Sequence, residues 1–551
     1  MLIALGTTSW AADFKAPVAK LDLKTGDTLV FLGDSITHQC LYTQYVEDFF
    51  YTRFPNTRIR FHNAGVGGAK AWDALERFER DVASYKPKYV TILLGMNDGR
   101  YQPYNEDIFR TYHKDMTEVV NRIKKAGAIP VLMTPTMYDS RAARMRMRRK
   151  PNSATEARLE LYNSVLAYYG AWLREVAGKN GYGFVDMYSP LNNLTIQQRK
   201  TDPKFTLIRD AVHPGPSGQL VMAYAIINDM GLRGPVSNIR ILNASGKSPK
   251  GQGRGGKISD LKRTDNGISF TFKANSLPWV LPEEAKTGVD ILKLGHRASR
   301  EGLEVHGLKP GQYELTIDGK HIGVFGATAL ERHIELQSNA KTPQYQQALA
   351  VAELNKKRNF GPVRALRGEW SQFQRFARVR AQFKERPGDV NLKKQFETLK
   401  KRIEGMEERV VMHEAAAKKI EDQIFAINKP KSHKYELKRV RMSQVSSVIT
   451  LNGKPITDAT IVLHGPSGVR AVGKTDEKGQ VKFKTGSVPG VLAGTYKVTV
   501  SKREENKATK VAPGILPGRE LIPAKYSETE KTVISVTIEP GENQLNFNLK
   551  F

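Results

Sequence analysis

The first 234 residues alternate short apolar runs with longer amphipathic segments. The apolar runs predict strands over 28–32, 58–62, 89–94, 129–134 and 183–185. Helical patterns lie between these runs, most clearly over 108–126 and 156–177. Regular alternation of this kind predicts a parallel sheet with helices on both faces. In such sheets, binding sites form at the carboxyl ends of the strands.

Beyond residue 235 the pattern changes to short β segments. Residues 313–317 and 321–325 alternate apolar and polar side chains on either side of Asp318-Gly319. This arrangement is a strong hairpin signal. The segment 246–256 is rich in glycine and lysine and predicts a loop.

Residues 342–428 have the composition and periodicity of helices. Pro387-Gly388 ends one amphipathic helix, and Asp389 is a suitable cap for the next. We predict an antiparallel helical hairpin here and assign it no chemical role. Apolar side chains spaced alternately by four and three residues predict one continuous coiled-coil seam over Leu392, Phe396, Leu399, Ile403, Met406, Val410, His413, Ala417, Ile420 and Ile424.

The last hundred residues read as all-β. Turns at Asn452-Gly453 and Pro540-Gly541 separate alternating runs, and Leu545-x-Phe547-x-Leu549 is a clean period-two strand. An antiparallel sandwich is the simplest fold for this segment. The chain is therefore predicted to be multidomain. A signal-like remnant and lead-in (1–24) precedes an α/β domain (25–234). A β-rich accessory segment (235–336), a helical hairpin region (337–430) and a C-terminal sandwich (431–551) follow.

Composition and charge narrow the function. The 551 residues include 86 Lys and Arg against 56 Asp and Glu, a formal net charge of +30. This charge favours an anionic partner, such as a charged polysaccharide or an envelope surface. We find no nucleic-acid-binding module or zinc-ligand array, so nucleic acid is not expected as a partner. No run reaches the roughly 18 apolar residues of a membrane span.

Cysteine usage and the N-terminus bear on the compartment. Cys40 is the only cysteine, which excludes an intrachain disulfide. We expect neither a metal nor a cofactor. Residues 1–11 look like the end of a signal peptide, with Ser9-x-Ala11 as a cleavage site. The segment lacks a basic region, so either the true start lies upstream of Met1 or this is an ordinary terminus. We expect export to the periplasm, the cell envelope or the medium.

Four short motifs follow one another in the α/β region and supply the chemistry of ester hydrolysis. Ser35 lies where a strand ends and a helix begins. The glycines at 65, 67 and 68 can point a backbone N–H at an oxyanion, and the Asn97 amide can donate to one. Asp210 can hold Nδ1–H of His213 and leave Nε2 free to take the Ser35 proton. Each motif alone is more often a turn or cap. The order of the set carries the prediction: Gly33-Asp34-Ser35, Asn63-x-Gly65-x-x-Gly68, Gly95-Met96-Asn97-Asp98 and Asp210-Ala211-Val212-His213.

Together these motifs resemble the SGNH hydrolases, also called the GDSL lipase/esterase family. The four letters correspond to Ser35, Gly68, Asn97 and His213. The resemblance covers about residues 25–234 and implies a flavodoxin-like three-layer fold. It also implies Ser35 as nucleophile, His213 as base and Asp210 as the residue that orients it. The implied oxyanion hole consists of the Ser35 N–H, the Gly68 N–H and the Asn97 side chain.

The last domain resembles carboxypeptidase-regulatory-like, transthyretin-like sandwiches, which are usually non-catalytic. The residues that carry this resemblance lie in 451–455, 473–479 and 494–498. The combination of domains resembles exported bacterial proteins of planctomycete type. The helical region resembles no family that we can identify.

The substrate is an open question at this point, because the family spans acetylated sugars, lipids and thioesters. Appended β modules and the lack of a long apolar lid favour a carbohydrate acetyl esterase that works through an acyl-enzyme. Lysophospholipase or thioesterase activity is one alternative, and a non-catalytic envelope protein is another. A basic loop after the fourth strand predicts a rim for an anionic acetylated polysaccharide, although a solvated charge run is as good an interpretation: Arg141, Arg144, Arg146, Arg148 and Arg149.

Overall fold

A computed structural model describes residues 15–465, 469–486, 488–504 and 518–551. Most of the predicted signal-like segment lies outside the described residues. The chain divides into two compact units. The first comprises Met1–Val236, Asn275–Arg300 and Gln344–Pro430, and the second Ser237–Ala274, Glu301–Pro343 and Lys431–Phe551. This division differs from the predicted one, because the helical region belongs to the same unit as the α/β domain.

The strands of the described residues are β1 Thr28–Gly33, β2 Arg60–Gly65, β3 Tyr89–Leu93, β4 Ile129–Met133, β5 Gly183–Val185, β6 Ser237–Leu242, β7 Lys250–Arg254, β8 Gly256–Thr264, β9 Gly267–Ala274, β10 Glu301–Val305, β11 Gln312–Ile317, β12 Lys320–Gly326, β13 Ile334–Glu335, β14 Ser432–Arg439, β15 Gln444–Leu451, β16 Lys454–Pro455, β17 Thr460–His464, β18 Arg470–Lys474, β19 Gln480–Lys482, β20 Lys484–Thr485, β21 Val488–Pro489, β22 Gly494–Ser501, β23 Ser535–Ile538 and β24 Glu542–Leu549.

The helices are α1 Ser35–His38, α2 Leu41–Arg53, α3 Ala71–Asp81, α4 Glu106–Lys125, α5 Ser140–Arg146, α6 Ser153–Asn180, α7 Tyr188–Gln198, α8 Pro216–Asp229, α9 Lys286–Leu292, α10 Leu294–Ala298, α11 Ala327–Arg332, α12 Pro343–Arg358, α13 Arg364–Glu385, α14 Val390–Ile403, α15 Met406–Ile427 and α16 Ala524–Ser527. None of the helices in these ranges has the length and hydropathy that crossing a membrane requires.

A five-stranded parallel sheet in the order β2-β1-β3-β4-β5 forms the centre of the first unit. Alternate residues of β1 enter different hydrophobic clusters: Leu29 and Phe31 pack with α2 and α8, whereas Val30 and Leu32 pack with α3, α4 and α6. The strands are buried on both faces, which explains their continuous apolar runs. The predicted parallel α/β domain is confirmed.

The helical region differs from the predicted continuous seam. α13 and α14 pack against each other across the turn at 386–389, where the Phe396 ring stacks on Phe376 and Phe383. The seam itself is broken between α14 and α15. Gly405 at the break has φ +68°, in the left-handed region that stops a helix. The prediction of one continuous coiled-coil helix over 392–424 is therefore wrong.

Two sheets of the second unit share one hydrophobic cluster: β13-β10-β6-β7 and β12-β11-β14-β9-β8. β11 and β12 form the predicted hairpin, and Asp318 and Gly319 in its turn both have positive φ. The prediction of a loop over 246–256 is wrong, because β7 pairs with β6. Glycine is needed there, since a Cβ on Gly253 would lie 2.7 Å from the Gly256 carbonyl oxygen.

Two further sheets of the second unit share the C-terminal cluster. β16-β15-β19, with β24 paired to β15, forms one, and β21-β20-β18-β17-β22-β23 forms the other. The region is β-rich, as predicted. It is not wholly antiparallel, because β24 runs parallel to β15 over eight residue pairs. The carboxypeptidase-regulatory-like assignment stays a prediction.

Candidate active site

Ser35 is the first residue of α1, directly after β1. The Asp34 carboxylate caps this short helix by accepting a hydrogen bond from the Ile36 N–H at 2.9 Å. From the end of β2, the Asn63 amide donates to the Thr37 carbonyl at 2.8 Å and accepts from the Gly65 N–H at 2.9 Å. A side chain at position 65 would overlap the α1 backbone. Asn63 and Gly65 therefore hold the Ser35 turn, a role that sequence reasoning missed although both lie in the second motif.

The Asp210–His213 loop reaches Ser35 from a sequence distance of 178 residues. The His213 Nε2 atom lies 2.8 Å from the Ser35 hydroxyl oxygen, and Nδ1 lies 2.7 Å from Asp210 Oδ2. The other carboxylate oxygen accepts the backbone N–H groups of Val212 and His213 at 3.0 and 2.7 Å. Ala211 adopts φ +76° in this turn. The structure thus places the three predicted triad side chains in one hydrogen-bonded series.

The surroundings of Asp210 favour its ionised form. Partial burial raises the pKa of this carboxyl group, but hydrogen bonds from the backbone and ring of His213 and from Val212 N–H outweigh burial and lower the pKa below its ordinary value. An ionised carboxylate accepts a hydrogen bond from Nδ1–H of His213 and so keeps the proton on Nδ1. Nε2 is then free to accept the Ser35 proton.

Gly68 and Asn97 line a cleft whose wall does not include Ser35, Asp210 or His213. Gly68 lies in the loop 65–70, which we call the oxyanion loop, and has φ +68°. The Asn97 amide donates to the Ala69 carbonyl at 3.1 Å and accepts from the Tyr101 hydroxyl at 3.2 Å. The same amide nitrogen also faces Asp34 Oδ2 at 3.5 Å, at the long limit of a hydrogen bond. These two residues can supply donors to an oxyanion, and their predicted role stays a prediction.

Asp98 holds the loops that carry these donors, and sequence reasoning gave it no role. Its carboxyl oxygens accept the N–H of Ala71 at 2.9 Å and the N–H of Gly95 at 3.0 Å. Burial raises the pKa of Asp98 to about 7 against the opposing effect of these hydrogen bonds. Its position next to Asn97 in the third motif was the available signal.

The cleft beside the oxyanion loop has a volume of about 630 Å³. Its wall combines a half-buried indole with charged and hydroxyl groups, among them Trp72, Lys70, Arg100, Asp115 and Tyr101. Arg378 of α13 also lines it. The helical region therefore contributes one side chain to the wall of this cleft.

The predicted basic loop is a helix for most of its length. α5 begins after Asp139, whose carboxylate caps it and also binds Arg199 at 2.7 Å. The Asp139 N–H donates to the Ala211 carbonyl at 3.0 Å, so α5 starts beside the loop that carries Asp210. The Arg144 side chain is paired with Glu156. The cleft lining does not include the predicted rim residues, all of which are exposed: Arg141, Arg144, Arg146, Arg148 and Arg149.

The Cys40 thiol is buried, and burial raises its pKa to about 12. Such a thiol is a poor nucleophile at neutral pH. Within the described ranges, no group of three or more His, Cys, Asp or Glu side chains is arranged to hold a metal ion.

A parallel α/β fold that carries a hydrogen-bonded Ser–His–Asp series at the carboxyl ends of its strands defines a serine hydrolase. Comparisons with known proteins narrow this class. Residues 31–221 match the GDSL-like lipase/acylhydrolase family and form a domain of that family. The protein is an enzyme that hydrolyses ester bonds.

Individual relatives are distant. An acetylxylan esterase of Geobacillus stearothermophilus is 26% identical over 233 residues, which cover 38% of this chain and 97% of that protein. An uncharacterized lipoprotein of Bacillus subtilis (strain 168) is 34% identical over 74 residues, 13% of this chain and 30% of that protein. The structure of a gut microbial diltiazem-metabolizing enzyme is similar over 77% of this chain and 100% of that chain, with 28% identity and a TM-score of 0.64.

Proposed function

We propose that this protein is a serine esterase that removes acetyl groups from a carbohydrate through an acyl-enzyme on Ser35. The observation that carries the proposal is the series from Asp210 through His213 to Ser35, with separations of 2.7 and 2.8 Å. These distances suit a general base already hydrogen-bonded to its nucleophile.

The reaction follows from this series in two balanced halves. Nε2 of His213 takes the Ser35 proton as Oγ bonds to the acyl carbon, and the carbonyl oxygen becomes an oxyanion that Gly68 and Asn97 stabilise. The ester C–O bond then breaks, and the alcohol leaves with the proton from His213. A water molecule, activated by the same histidine, attacks the acyl carbon and releases acetate and free Ser35.

The cleft supports a carbohydrate as the leaving alcohol. Trp72 offers an aromatic face of the kind that packs against a sugar ring, and Asp115 and Tyr101 offer hydrogen-bonding groups for hydroxyls. Within the described residues the Asp115 carboxyl group has no hydrogen-bond or ion-pair partner, and burial raises its pKa. A relative that bears the name acetylxylan esterase supports the same class of substrate.

An anionic polysaccharide and an exported location belong to this proposal as well. The net charge of +30 and the exposed arginines of 141–149 support the first, and Ser9-x-Ala11 supports the second. Lys70 and Arg100 add positive charge at the cleft itself, partly offset by Asp115.

One panel of substrates tests the proposal. Acetylated xylo-oligosaccharides, a lysophospholipid and an acyl thioester would be offered to the wild-type enzyme and to Ser35→Ala. We expect acetate release from the sugar, lost by several orders of magnitude in the variant, where comparable losses reach ~10⁶ in other triad enzymes. Faster turnover of the lysolipid or of the thioester would contradict the carbohydrate assignment and identify that compound class as the substrate. Equal activity of the variant would remove Ser35 from the mechanism.

A further inference from the structure

Helix α13 contacts the backbone of the oxyanion loop directly. The Gln374 amide donates to the Gly67 carbonyl at 3.0 Å, and the Arg378 guanidinium donates to the Gly68 carbonyl at 2.7 Å. Arg378 also holds both carboxylate oxygens of Asp73 at 2.7 Å. Asp73 in turn accepts the Lys70 N–H at 2.8 Å, at the end of the same loop.

The first contact fixes the direction of a proposed catalytic donor. The Gly67 carbonyl and the Gly68 N–H belong to one planar trans peptide group, so they point in opposite directions. A donor that holds the oxygen therefore also aims the N–H. Hydrogen bonding at the oxygen polarises the peptide as well, which strengthens its N–H as a donor.

The loop needs such support because its own residues give it little. Gly67 and Gly68 have no side chains to pack, and a Cβ built on either meets nothing within 4 Å. Glycine backbones have the widest conformational freedom. Backbone hydrogen bonds from Val66 to Gly33 and from Ala69 to Val66, each at 3.1 Å, hold its flanks, as do hydrogen bonds with the side chains of Asn63 and Asn97.

Gln374 is built into the interior for this contact. Its side chain is 4% exposed, and within the described residues its Oε1 has no hydrogen-bond partner. A buried amide with one unmet oxygen costs free energy that an apolar side chain would not. Only the NH₂ end of the amide can bind a carbonyl, which settles its orientation.

We propose that Gln374 and Arg378 are positioning residues of the oxyanion hole: Gln374 aims the Gly68 N–H through the Gly67–Gly68 peptide group, and Arg378 holds the carbonyl of the next peptide group, that of Gly68. This inference rests on the proposed function, in which Gly68 stabilises the oxyanion. Both residues lie on α13, outside the region 31–221 that matches the hydrolase family. Through these two hydrogen bonds the helical region acts on the backbone of the oxyanion loop, and Arg378 lines the cleft as well.

The test uses Gln374→Met and Arg378→Met, with Arg380→Met as the matched control. Arg380 lies on the same helix and pairs with Glu76 of α3 at 2.6 Å, and its side chain is 39% exposed, as is that of Arg378. In the part of the chain that the structure describes, no hydrogen bond or ion pair joins Arg380 to the oxyanion loop. The control therefore removes an α13–α3 ion pair of similar exposure without loosening the Gly67 or Gly68 carbonyls.

We expect kcat for a small acetyl ester to fall about 10-fold or more in each positioning variant, since outright removal of an oxyanion donor costs roughly 10²–10³. KM should change little, because the donor acts on the transition state. Arg378→Lys should recover part of kcat, since an ammonium can reach one of the two partners. Arg380→Met should stay within about twofold of wild type.

Amide hydrogen exchange over the oxyanion loop gives a readout that does not depend on activity. The positioning variants should exchange faster there than Arg380→Met, at temperatures where all remain folded. Faster exchange with unchanged kcat would show that Gln374 and Arg378 hold the loop but do not affect catalysis, which would overturn the proposal. Unchanged exchange would show that the two side chains do not hold the oxyanion loop, which would overturn it as well. A wild-type enzyme without Ser35-dependent turnover would instead overturn the proposed function, which keeps the two failures distinct.

Discussion

Replacing Asp210 with asparagine tests the triad through the tautomer of His213. Asparagine keeps the shape of the side chain but turns one acceptor oxygen into a donor. In the wild type, Oδ1 accepts the Val212 and His213 N–H groups, and Oδ2 faces Nδ1. The asparagine oxygen must stay on the two N–H groups, so its NH₂ group faces Nδ1. His213 is then driven to carry its proton on Nε2, which cannot accept the proton of Ser35.

The magnitude follows from this inversion and from the exposure of the pair. A fully buried aspartate in the trypsin triad loses about 10⁴ in kcat on the same change. Here the Asp210 and His213 side chains are 37% and 31% exposed, so water can partly support the productive tautomer. We therefore expect a loss of about 10³ in kcat, with a small change in KM.

The assay is the hydrolysis of para-nitrophenyl acetate at near-neutral pH, with the melting temperature measured in parallel. Asp202→Asn is the control, because this aspartate also accepts a backbone N–H in the same region. Among the described residues, no hydrogen bond or ion pair joins it to His213. A loss below about 10-fold in Asp210→Asn would refute the tautomer argument. An equal loss in the control would assign the effect to the loop and not to the triad.

Three further predictions concern the rest of the site. Asn97→Ala should lower kcat by roughly 10²–10³ with an unchanged melting temperature, and a large stability loss with normal kcat would identify a structural turn. Replacing Arg141 and Arg146 with glutamine should raise KM for an anionic acetylated polysaccharide but not for a neutral aryl acetate. The preference of the wild-type enzyme for the anionic substrate should weaken as salt rises. Equal effects on the two substrates would show that these arginines are only a solvated surface. Burial raises the pKa of Asp98 to about 7 in the folded protein, whereas an unfolded aspartate has a pKa of about 3.9. Between these two pH values the folded state holds the proton and the unfolded state does not. The free energy of unfolding should therefore fall as pH rises through this window, by up to about 1.4 kcal/mol per pH unit. Asp98→Asn should remove that slope from the denaturation free energy measured between the two pH limits.

The parallel sheet was predictable because burial on both faces leaves an unambiguous pattern. β1 and β3 are buried at every position, so each appears as an unbroken apolar run that ends at a motif. The loop at Asp210 was predictable for a local reason. A carboxylate three residues before a histidine can accept backbone N–H groups and the ring together, and that is the arrangement in the structure.

Other elements depend on contacts that periodicity does not encode. β7 contains glycines at alternate positions and reads as a loop, yet a close approach to Gly256 and Phe272 makes it a strand. The basic run after β4 reads as a solvated loop, yet Asp139 caps a helix there and is held by Arg199. In both places a partner distant in sequence, β6 for β7 and Arg199 for Asp139, helps to fix the conformation. Local residue preferences cannot predict such a partner.

The sequence contains a signal for the contact of Gln374 and Arg378, but it does not identify the group that they bind. Trp370, Phe373 and Ala377 form the buried stripe of α13, a pattern that predicts a packed helix. Gln374 and Arg378 are four residues apart and border that stripe, so they lie on one edge of the buried face. A polar pair at that spacing indicates that the helix packs against something that accepts hydrogen bonds. The acceptors are carbonyls about 300 residues away, in a loop of glycines that offers no side chain to pair with. The sequence pattern of α13 therefore indicates a polar contact at the edge of its buried face. The identity of that contact, the backbone of the oxyanion loop, depends on the fold.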